Sequence, residues 1–247
     1  MMTDEYNSAY RAWKKWSESA FFMTSKINQI YFQAEIKRLG FETLKELSVF
    51  EFGFGNGQFL CFANSQGASC FGSELDLDLL RQAEDSGVHA YQSPLAHADL
   101  LNLHSSFDLV VAFDVLEHFS KPELKEFLNT TSRLLKPGGI LLARVPSGDS
   151  PFSGPYFWGD ITHKLMLGTS AVYQIAEQAS LRVKFIAPPA FPILGLGLAT
   201  AVRRFLVSVA QRALSVLIGK VWYGSSEKAV ITPNLVFALQ KPKDEKV

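Results

Sequence analysis

Three glycines spaced two residues apart follow a short apolar stretch. Residues 49–60 read VFEFGFGNGQFL, with Glu51 ahead of Gly53, Gly55 and Gly57. The apolar residues before the glycines favour a strand, and the residues after them are compatible with a helix. Glycine tolerates the backbone conformations that a sharp turn or a close ligand requires. Because a helix N-terminus offers unpaired N–H groups and a positive dipole end, this stretch indicates a binding site for a nucleotide-like cofactor.

A carboxylate follows the glycines at a sequence distance typical of nucleotide-binding folds. Residues 71–76 read FGSELD and end a second apolar segment, about 20 residues beyond the turn. An acidic side chain at this place accepts hydrogen bonds from both ribose hydroxyls of an adenosine. Glu74 fits this role, with a solvated loop acid as the alternative. Asp76 fits the N-cap of the next helix, because aspartate is favoured at that position.

Two histidines lie in segments that suit acid–base chemistry, because histidine titrates near neutral pH. His163 is a candidate base that Asp160 would orient, and the alternative is a loop held by local hydrogen bonds. His118 is a second acid–base candidate, and the alternative is that it braces the following turn. Cys61 and Cys70 have no ligand partners at suitable spacing, so we expect two small buried hydrophobic residues and no metal site.

The elements that position these residues alternate along the chain. Strands separated by helices predict a parallel, doubly wound α/β sheet. One or two helices are expected within 4–40, and a long loop rich in Gly, Pro and aromatic residues covers 146–164. The predicted strands are 48–53, 69–75, 88–91, 107–113, 140–145, 181–187 and 230–240, and the predicted helices are 57–65, 76–86, 122–135 and 170–179.

Four segments together resemble the class I S-adenosylmethionine (SAM)-dependent methyltransferases. They are the glycine turn, the acidic end of 71–76, FDLVVAFDVLEH at 107–118 and RLLKPGGILL at 133–142. The resemblance spans residues 45–185. It implies a Rossmann-like, mostly parallel seven-stranded sheet with an antiparallel last strand, and SAM as the cofactor. The cofactor-binding residues implied by the resemblance, with Asp99 taken for the adenine contact, are Glu51, Gly53, Phe54, Gly55, Gly57, Glu74, Leu75, Asp99, Asp114 and Val115.

The expected reaction is methylation of an oxygen atom, because no Asn-Pro-Pro-Tyr-type segment for amino-group methylation is present. THKL at 162–165 and TPNL at 232–235 are similar to methyltransferases of bacterial surface-polysaccharide pathways, which implies a sugar or lipid-linked glycan hydroxyl as acceptor. A lipophilic small molecule such as a quinone precursor is one alternative. A non-catalytic SAM-binding regulatory module is another. Zero formal net charge disfavours nucleic acid as a partner.

The chain divides into an N-terminal helical cap at 1–44, the cofactor-binding core at 45–187, an amphipathic helical insertion at 188–229, and the last strand with a tail at 230–247. The insertion lies in a stretch, 178–226, without Asp or Glu. A membrane surface, a cover for the core, an active-site lid and a homodimer contact are alternative roles for 194–220. With no signal peptide and no clear transmembrane span, we expect a cytoplasmic protein, peripheral at the inner face of the membrane if the first role holds.

Overall fold

The computed structural model describes residues 20–224 and 229–243. They contain a seven-stranded sheet in the order β3-β2-β1-β4-β5-β7-β6. Neighbouring strands from β3 to β5 are parallel, and β7 runs antiparallel to β5 and β6. This confirms the predicted Rossmann-like sheet with an antiparallel last strand. The strands are β1 Ser48–Phe52, β2 Ser69–Glu74, β3 His89–Gln92, β4 Phe107–Phe113, β5 Leu135–Pro146, β6 Arg182–Ala187 and β7 Asn234–Gln240.

Helices connect the strands and cover the sheet. A 3-10 turn at Leu116–His118 follows β4, and a π-helical turn at Gly219–Tyr223 follows the last helix. Predicted structure before residue 20 and after residue 243 lies outside the described residues. The helices are α1 Lys26–Arg38, α2 Gln58–Ser65, α3 Leu77–Asp85, α4 His97–Asn102, α5 Lys121–Leu134, α6 Gly154–Phe157, α7 Thr169–Gln178 and α8 Leu198–Ile218.

The central strand β4 is buried on both faces, as its nearly continuous apolar sequence predicts. Val110 and Ala112 belong to one hydrophobic cluster, and Leu109 and Val111 belong to the other. All four side chains are fully buried. The sheet therefore has a core layer on each face, and its carboxyl edge is the place where the loops of interest emerge.

The largest differences from the sequence prediction are at the starts of strands β5 and β7. Strand β5 begins at Leu135 rather than at 140, because Leu135 is buried and pairs with Phe107 ahead of a register shift. Gly139 makes that irregularity fit, since a Cβ there would lie 2.8 Å from the Phe107 carbonyl oxygen. Strand β7 begins at Asn234 rather than at 230, because Val230 is bound by the loop after β5 instead of by the sheet.

The helical stretch Leu198–Tyr223 is long and apolar enough to cross a membrane, by length and composition. Its most apolar 18-residue window has a mean hydropathy of 1.4 and at most two charged residues. No transmembrane span is expected from the sequence, because Arg203, Arg204 and Arg212 interrupt this stretch with charge. Only 6% of the window is buried, and Ile218 is the buried residue of α8. In this structure α8 therefore does not act as a cover for the core.

Candidate functional site

The glycine turn has the left-handed backbone that its sequence predicts. Gly53, Gly55 and Gly57 have φ angles of 59°, 51° and 67°, and α2 starts directly after Gly57. Gly53 also meets the residue after strand β4 at close range. A Cβ on Gly53 would lie 2.9 Å from the Cγ2 of Val115. Both its backbone angle and the space around it therefore require glycine at this position.

The carboxylate of Glu74 faces this turn. Its Oε2 accepts a hydrogen bond from the Gly55 N–H at 2.9 Å, and its Oε1 accepts one from the Leu75 N–H at 2.7 Å. Burial raises the pKa of Glu74 above its ordinary value, although the hydrogen bonds from the backbone oppose the shift. The end of β2 and the turn after β1 thus form one continuous cradle of backbone and carboxylate.

A second buried acid lies on β1 behind the turn. Burial raises the pKa of Glu51 well above its ordinary value, and the nearby charge of Glu74 adds to the shift. The Oε2 of Glu51 accepts no hydrogen bond from the residues that the structure describes. Two acids and a turn of left-handed glycines suit a ligand that combines ribose hydroxyls with positive charge. SAM has both, so the residues present fit this cofactor.

Asp114 follows β4 in a left-handed conformation, with φ 56°. Its carboxylate accepts a hydrogen bond from Nε of Arg144 at 2.9 Å and a second from Nη2. The Arg144 guanidinium lies 5.2 Å from the centre of the Phe113 ring. Burial lowers the pKa of Arg144, but attraction and hydrogen bonding to Asp114 and Tyr31 together outweigh burial, so the pKa is raised. Arg144 was not predicted as a site residue, although a single charged residue in an apolar strand could have indicated it.

Asp99 has a structural partner of its own. Its Oδ2 accepts a hydrogen bond from the Ala96 N–H at 3.2 Å, at the first turn of α4. Burial and the charge of Asp99 raise the pKa of Tyr91, so the two side chains are neighbours. The adenine contact of Asp99 stays a prediction. Asp76 caps α3 as predicted, since its Oδ1 accepts from the Asp78 and Leu79 N–H groups.

The two candidate segments for acid–base chemistry come together. The ring centres of His118 and His163 are 4.7 Å apart. His118 Nδ1 lies 2.8 Å from the hydroxyl of Thr162, which donates to Asp160 Oδ1 at 2.6 Å. Thr162 thus links His118 to Asp160. The Asp160 side chain also accepts the Thr162 N–H at 3.0 Å, as the alternative of local hydrogen bonding expected.

The ring of His163 is oriented differently from the sequence prediction. Its Nδ1 lies 2.8 Å from the Phe157 carbonyl oxygen, while its Nε2 is 3.8 Å from Asp160 Oδ2. The backbone of Phe157, rather than Asp160, therefore supplies the hydrogen bond that fixes the ring. The His163 side chain is only 7% exposed.

Glu117 is a member of this cluster that sequence reasoning did not select, although it directly precedes His118. Its Oε1 is 4.0 Å from Nε2 of His163. Its backbone carbonyl accepts hydrogen bonds from the N–H groups of Lys164 and Leu165, at 2.7 and 3.0 Å. These bonds hold the loop after β5 against the turn after β4. The contact between Val115 and Gly53 links the same turn to the cofactor cradle.

A large open groove elsewhere has a volume of about 850 Å³. It lies between α1, α2 and the segment 191–194. None of the residues predicted for cofactor binding or catalysis lines it. The groove is therefore separate from the cradle at the glycine turn.

Comparison with known proteins gives matches at two levels. Residues 50–143 match a family described as "Methyltransferase domain". A SAM-dependent methyltransferase from Archaeoglobus fulgidus is similar in structure, with 18% identity over 96% of this chain and 100% of the other and a TM-score of 0.62. A second one from Mesorhizobium loti has 15% identity over 85% and 98% and a TM-score of 0.53. The search of curated proteins found no match.

At these identities the structural matches show the fold alone. The cyclase SpnF also has this fold, with 16% identity over 87% of this chain and 81% of the other and a TM-score of 0.52. Fold therefore does not fix the reaction. The family match is more specific, because it covers the glycine turn, Glu74 and the segment after β4. Residues 50–143 thus match a methyltransferase domain on a Rossmann-like fold, and this match supports SAM-dependent methyl transfer with SAM as the expected cofactor.

Proposed function

We propose that the protein methylates a sugar hydroxyl, on a lipid-linked glycan, with SAM as the methyl donor. The observation that carries this proposal is the chain of hydrogen bonds from His118 through Thr162 to Asp160. It lies at the carboxyl edge of the sheet, where ligands bind in open α/β folds. His118 is also three residues after Val115, which packs against the cofactor turn at Gly53.

Bound SAM supplies an electrophilic methyl group on a sulfonium. The chain must hold a hydroxyl oxygen in line with that methyl group and accept its proton. The Thr162 hydroxyl has one hydrogen and gives it to Asp160, so it accepts from His118 Nδ1–H. A neutral His118 therefore keeps its lone pair on Nε2, as a general base requires. Such a base contributes about 10²–10⁴ in rate.

Exposed apolar side chains around the site support an acceptor with a lipid part. The loop after β5 exposes Tyr156, Trp158 and Ile161, with Ile161 91% exposed. This loop is joined to the end of the insertion, because the Tyr223 hydroxyl donates to the Asp149 carbonyl oxygen at 2.6 Å. A lipid-linked acceptor would reach such a site from a membrane surface. A quinone precursor would use the same apolar surface and is the second candidate acceptor.

The insertion is the proposed membrane contact, through 194–220, at the inner face of the membrane. Most of the large apolar residues on α8 are exposed, including Leu198, Leu206 and Leu217. The segment 178–226 carries Lys and Arg without Asp or Glu, which favours anionic lipids. A homodimer formed through the same face is the alternative, and a test of binding to anionic vesicles distinguishes the two.

The experiment that tests the proposal combines a product assay with mass spectrometry. Purified protein, SAM and extracted lipid-linked glycans are expected to yield S-adenosylhomocysteine and a glycan heavier by one methylene unit. Cells without the protein should lack that methylated glycan. His118→Ala should lower turnover by at least about tenfold while SAM affinity is kept. Methylation of a quinone precursor but not of glycans would overturn the acceptor, and tight SAM binding without any product would overturn the proposed activity.

A further inference from the structure

We propose that Glu117, His118 and His163 bind a divalent transition-metal ion. One ring nitrogen of each histidine and one carboxylate oxygen of Glu117 lie within 4.8 Å of one another. Two imidazoles and a carboxylate are common ligands of Zn²⁺ and of other first-row metals. This proposal differs from the expectation of no metal site, which was based on the spacing of the cysteines. The sequence alone does not show that the turn after β4 meets the loop after β5.

The hydrogen bond of His163 to the backbone decides which of its nitrogens faces the cluster. A carbonyl oxygen only accepts, so Nδ1 carries the hydrogen given to Phe157. In the neutral ring the lone pair is then on Nε2, which faces Glu117 Oε1 at 4.0 Å and Asp160 Oδ2 at 3.8 Å. All these atoms are acceptors, and the three side chains are at most 7% exposed. A bound cation or an additional proton would stabilise such a group of acceptors in a space with little water.

The same reasoning applies to His118. Its Nδ1–H is given to Thr162, whose own hydrogen goes to Asp160. Both histidines therefore have one nitrogen fixed by a hydrogen bond to the surrounding protein. This arrangement is typical of metal-binding histidines, because the outer hydrogen bond sets the tautomer and the orientation of the ring.

The two imidazoles favour Zn²⁺ over Mg²⁺ and Ca²⁺, which prefer oxygen ligands. Three protein ligands leave coordination positions open, and Asp160 is close enough to supply a fourth ligand after a small movement. In a role that rests on the proposed function, the ion would polarise the acceptor hydroxyl, so that its proton is lost more easily to solvent. His118 would then be a metal ligand, and it would accept that proton itself only in the ion-free protein. The binding of the ion itself does not depend on that function.

The test uses tag-free protein treated with a chelator, since a histidine tag would bind the same ions. Isothermal titration with Zn²⁺ and electron paramagnetic resonance with Mn²⁺ should report one ion per chain. Glu117→Gln keeps the side-chain volume and His163→Ala removes a ligand, so each should weaken binding at least tenfold. His104→Ala is the matched control, because His104 is an exposed histidine outside the cluster. SAM affinity and the melting temperature of each variant establish that it is folded.

The outcomes separate this proposal from the proposed function. Binding that is not stoichiometric, or that His163→Ala leaves unchanged, overturns the metal site even where methyl transfer is observed. Nitrogen NMR that shows a doubly protonated His163 ring with excess Zn²⁺ present also overturns it, because the extra proton would then occupy the place of the ion. Stoichiometric binding without methyl transfer keeps the site and counts against the acceptor chemistry alone.

Discussion

The carboxylate of Glu74 is hydrogen-bonded to the backbone N–H of Gly55 at 2.9 Å, across 19 residues of sequence. The bond forms because β1 and β2 are parallel neighbours, with Phe52 in register with Ser73, so both strands end at the same edge. A further bond from Leu75 fixes the other carboxylate oxygen. The acid is therefore oriented before a ligand arrives, which lowers the cost of ordering it on binding.

Replacing Glu74 by Gln is expected to weaken SAM binding about 10- to 100-fold. The change removes the charge that strengthens hydrogen bonds to ribose hydroxyls, and bonds to a charged group contribute about 1.5–3 kcal/mol. Isothermal titration calorimetry measures the affinity. Glu84→Gln is the control, because Glu84 is an exposed acid on α3. Equal affinities for the two variants would remove Glu74 from the cofactor site.

A Cβ at Gly53 should destabilise the protein through a defined contact. Gly53→Ala places a methyl group 2.9 Å from Val115 Cγ2 at a φ of 59°. Gly87→Ala has a comparable φ of 80° but meets nothing within 4 Å. We expect Gly87→Ala to cost about 1 kcal/mol of unfolding free energy from backbone strain, and Gly53→Ala to cost more.

Adding Val115→Ala to Gly53→Ala separates the two contributions. The double variant removes the clash, so the coupling measured in a double-mutant cycle should be favourable. Chemical denaturation supplies the four free energies. Additive effects of the two substitutions would show that Gly53 is required for its backbone angle alone.

Local sequence patterns predicted the parts of the molecule that depend on neighbours along the chain. The glycine turn, the cap at Asp76 and the buried strand β4 belong to this class, because spacing and residue type determine them directly. The fixed orientation of His163 is different, since it depends on the carbonyl of Phe157 and gives no pattern in side-chain types. Contacts between side chains and distant backbone atoms therefore cannot be predicted from the pattern of residue types.

Pairs of residues far apart in the sequence were also not predicted. Asp114 and Arg144 are 30 residues apart, and their pairing depends on β4 and β5 being neighbours in register. The sequence showed an aspartate at a strand end and an arginine in another strand without linking them. Likewise, the amphipathic pattern of 194–220 was compatible with four roles, and only the exposure of α8 removed the core-covering one.

The buried acid Glu51 makes a prediction about pH. Its pKa is raised well above 4.5 in the folded protein, mainly by burial. A raised folded-state pKa contributes stability that is present below the unfolded-state pKa and lost as pH rises toward the folded-state value. Above pH 4.5 the wild-type protein should therefore lose stability relative to Glu51→Gln, which cannot ionise. Each pH unit should cost about 1.4 kcal/mol within that window.

Thermal unfolding of both proteins without cofactor, from pH 4.5 to pH 8, checks this effect. The difference in melting temperature should grow with pH and then level off once Glu51 ionises in the folded state. Glu84→Gln serves again as an exposed control, with a difference that stays flat. A constant difference between Glu51→Gln and the wild type would contradict a raised pKa.

Asp114 should contribute to stability in two ways that substitutions can separate. Asp114→Asn keeps a residue that tolerates the left-handed conformation and removes the charge opposite Arg144. We expect a cost of about 1–2 kcal/mol, reduced by the partial exposure of the aspartate. Asp114→Ala should cost about 1 kcal/mol more, because alanine also bears the backbone strain. Urea denaturation measures the free energy of unfolding of both variants. A smaller loss for Asp114→Ala than for Asp114→Asn would show that the left-handed backbone does not select the residue at this position.

The exposed face of α8 predicts binding to anionic vesicles. Leu206 and Leu217 are 61% and 58% exposed, so burying them in a lipid interface is favourable. Replacing both with Ser should weaken co-sedimentation with phosphatidylglycerol vesicles at least about tenfold. Leu101→Ser is the matched control, because Leu101 is 66% exposed on α4. High salt should weaken the wild-type binding, since basic residues without nearby acids attract anionic lipid. A wild-type protein that ignores vesicles and elutes as a dimer, which the double variant converts to a monomer, would assign this face to a second copy of the chain instead.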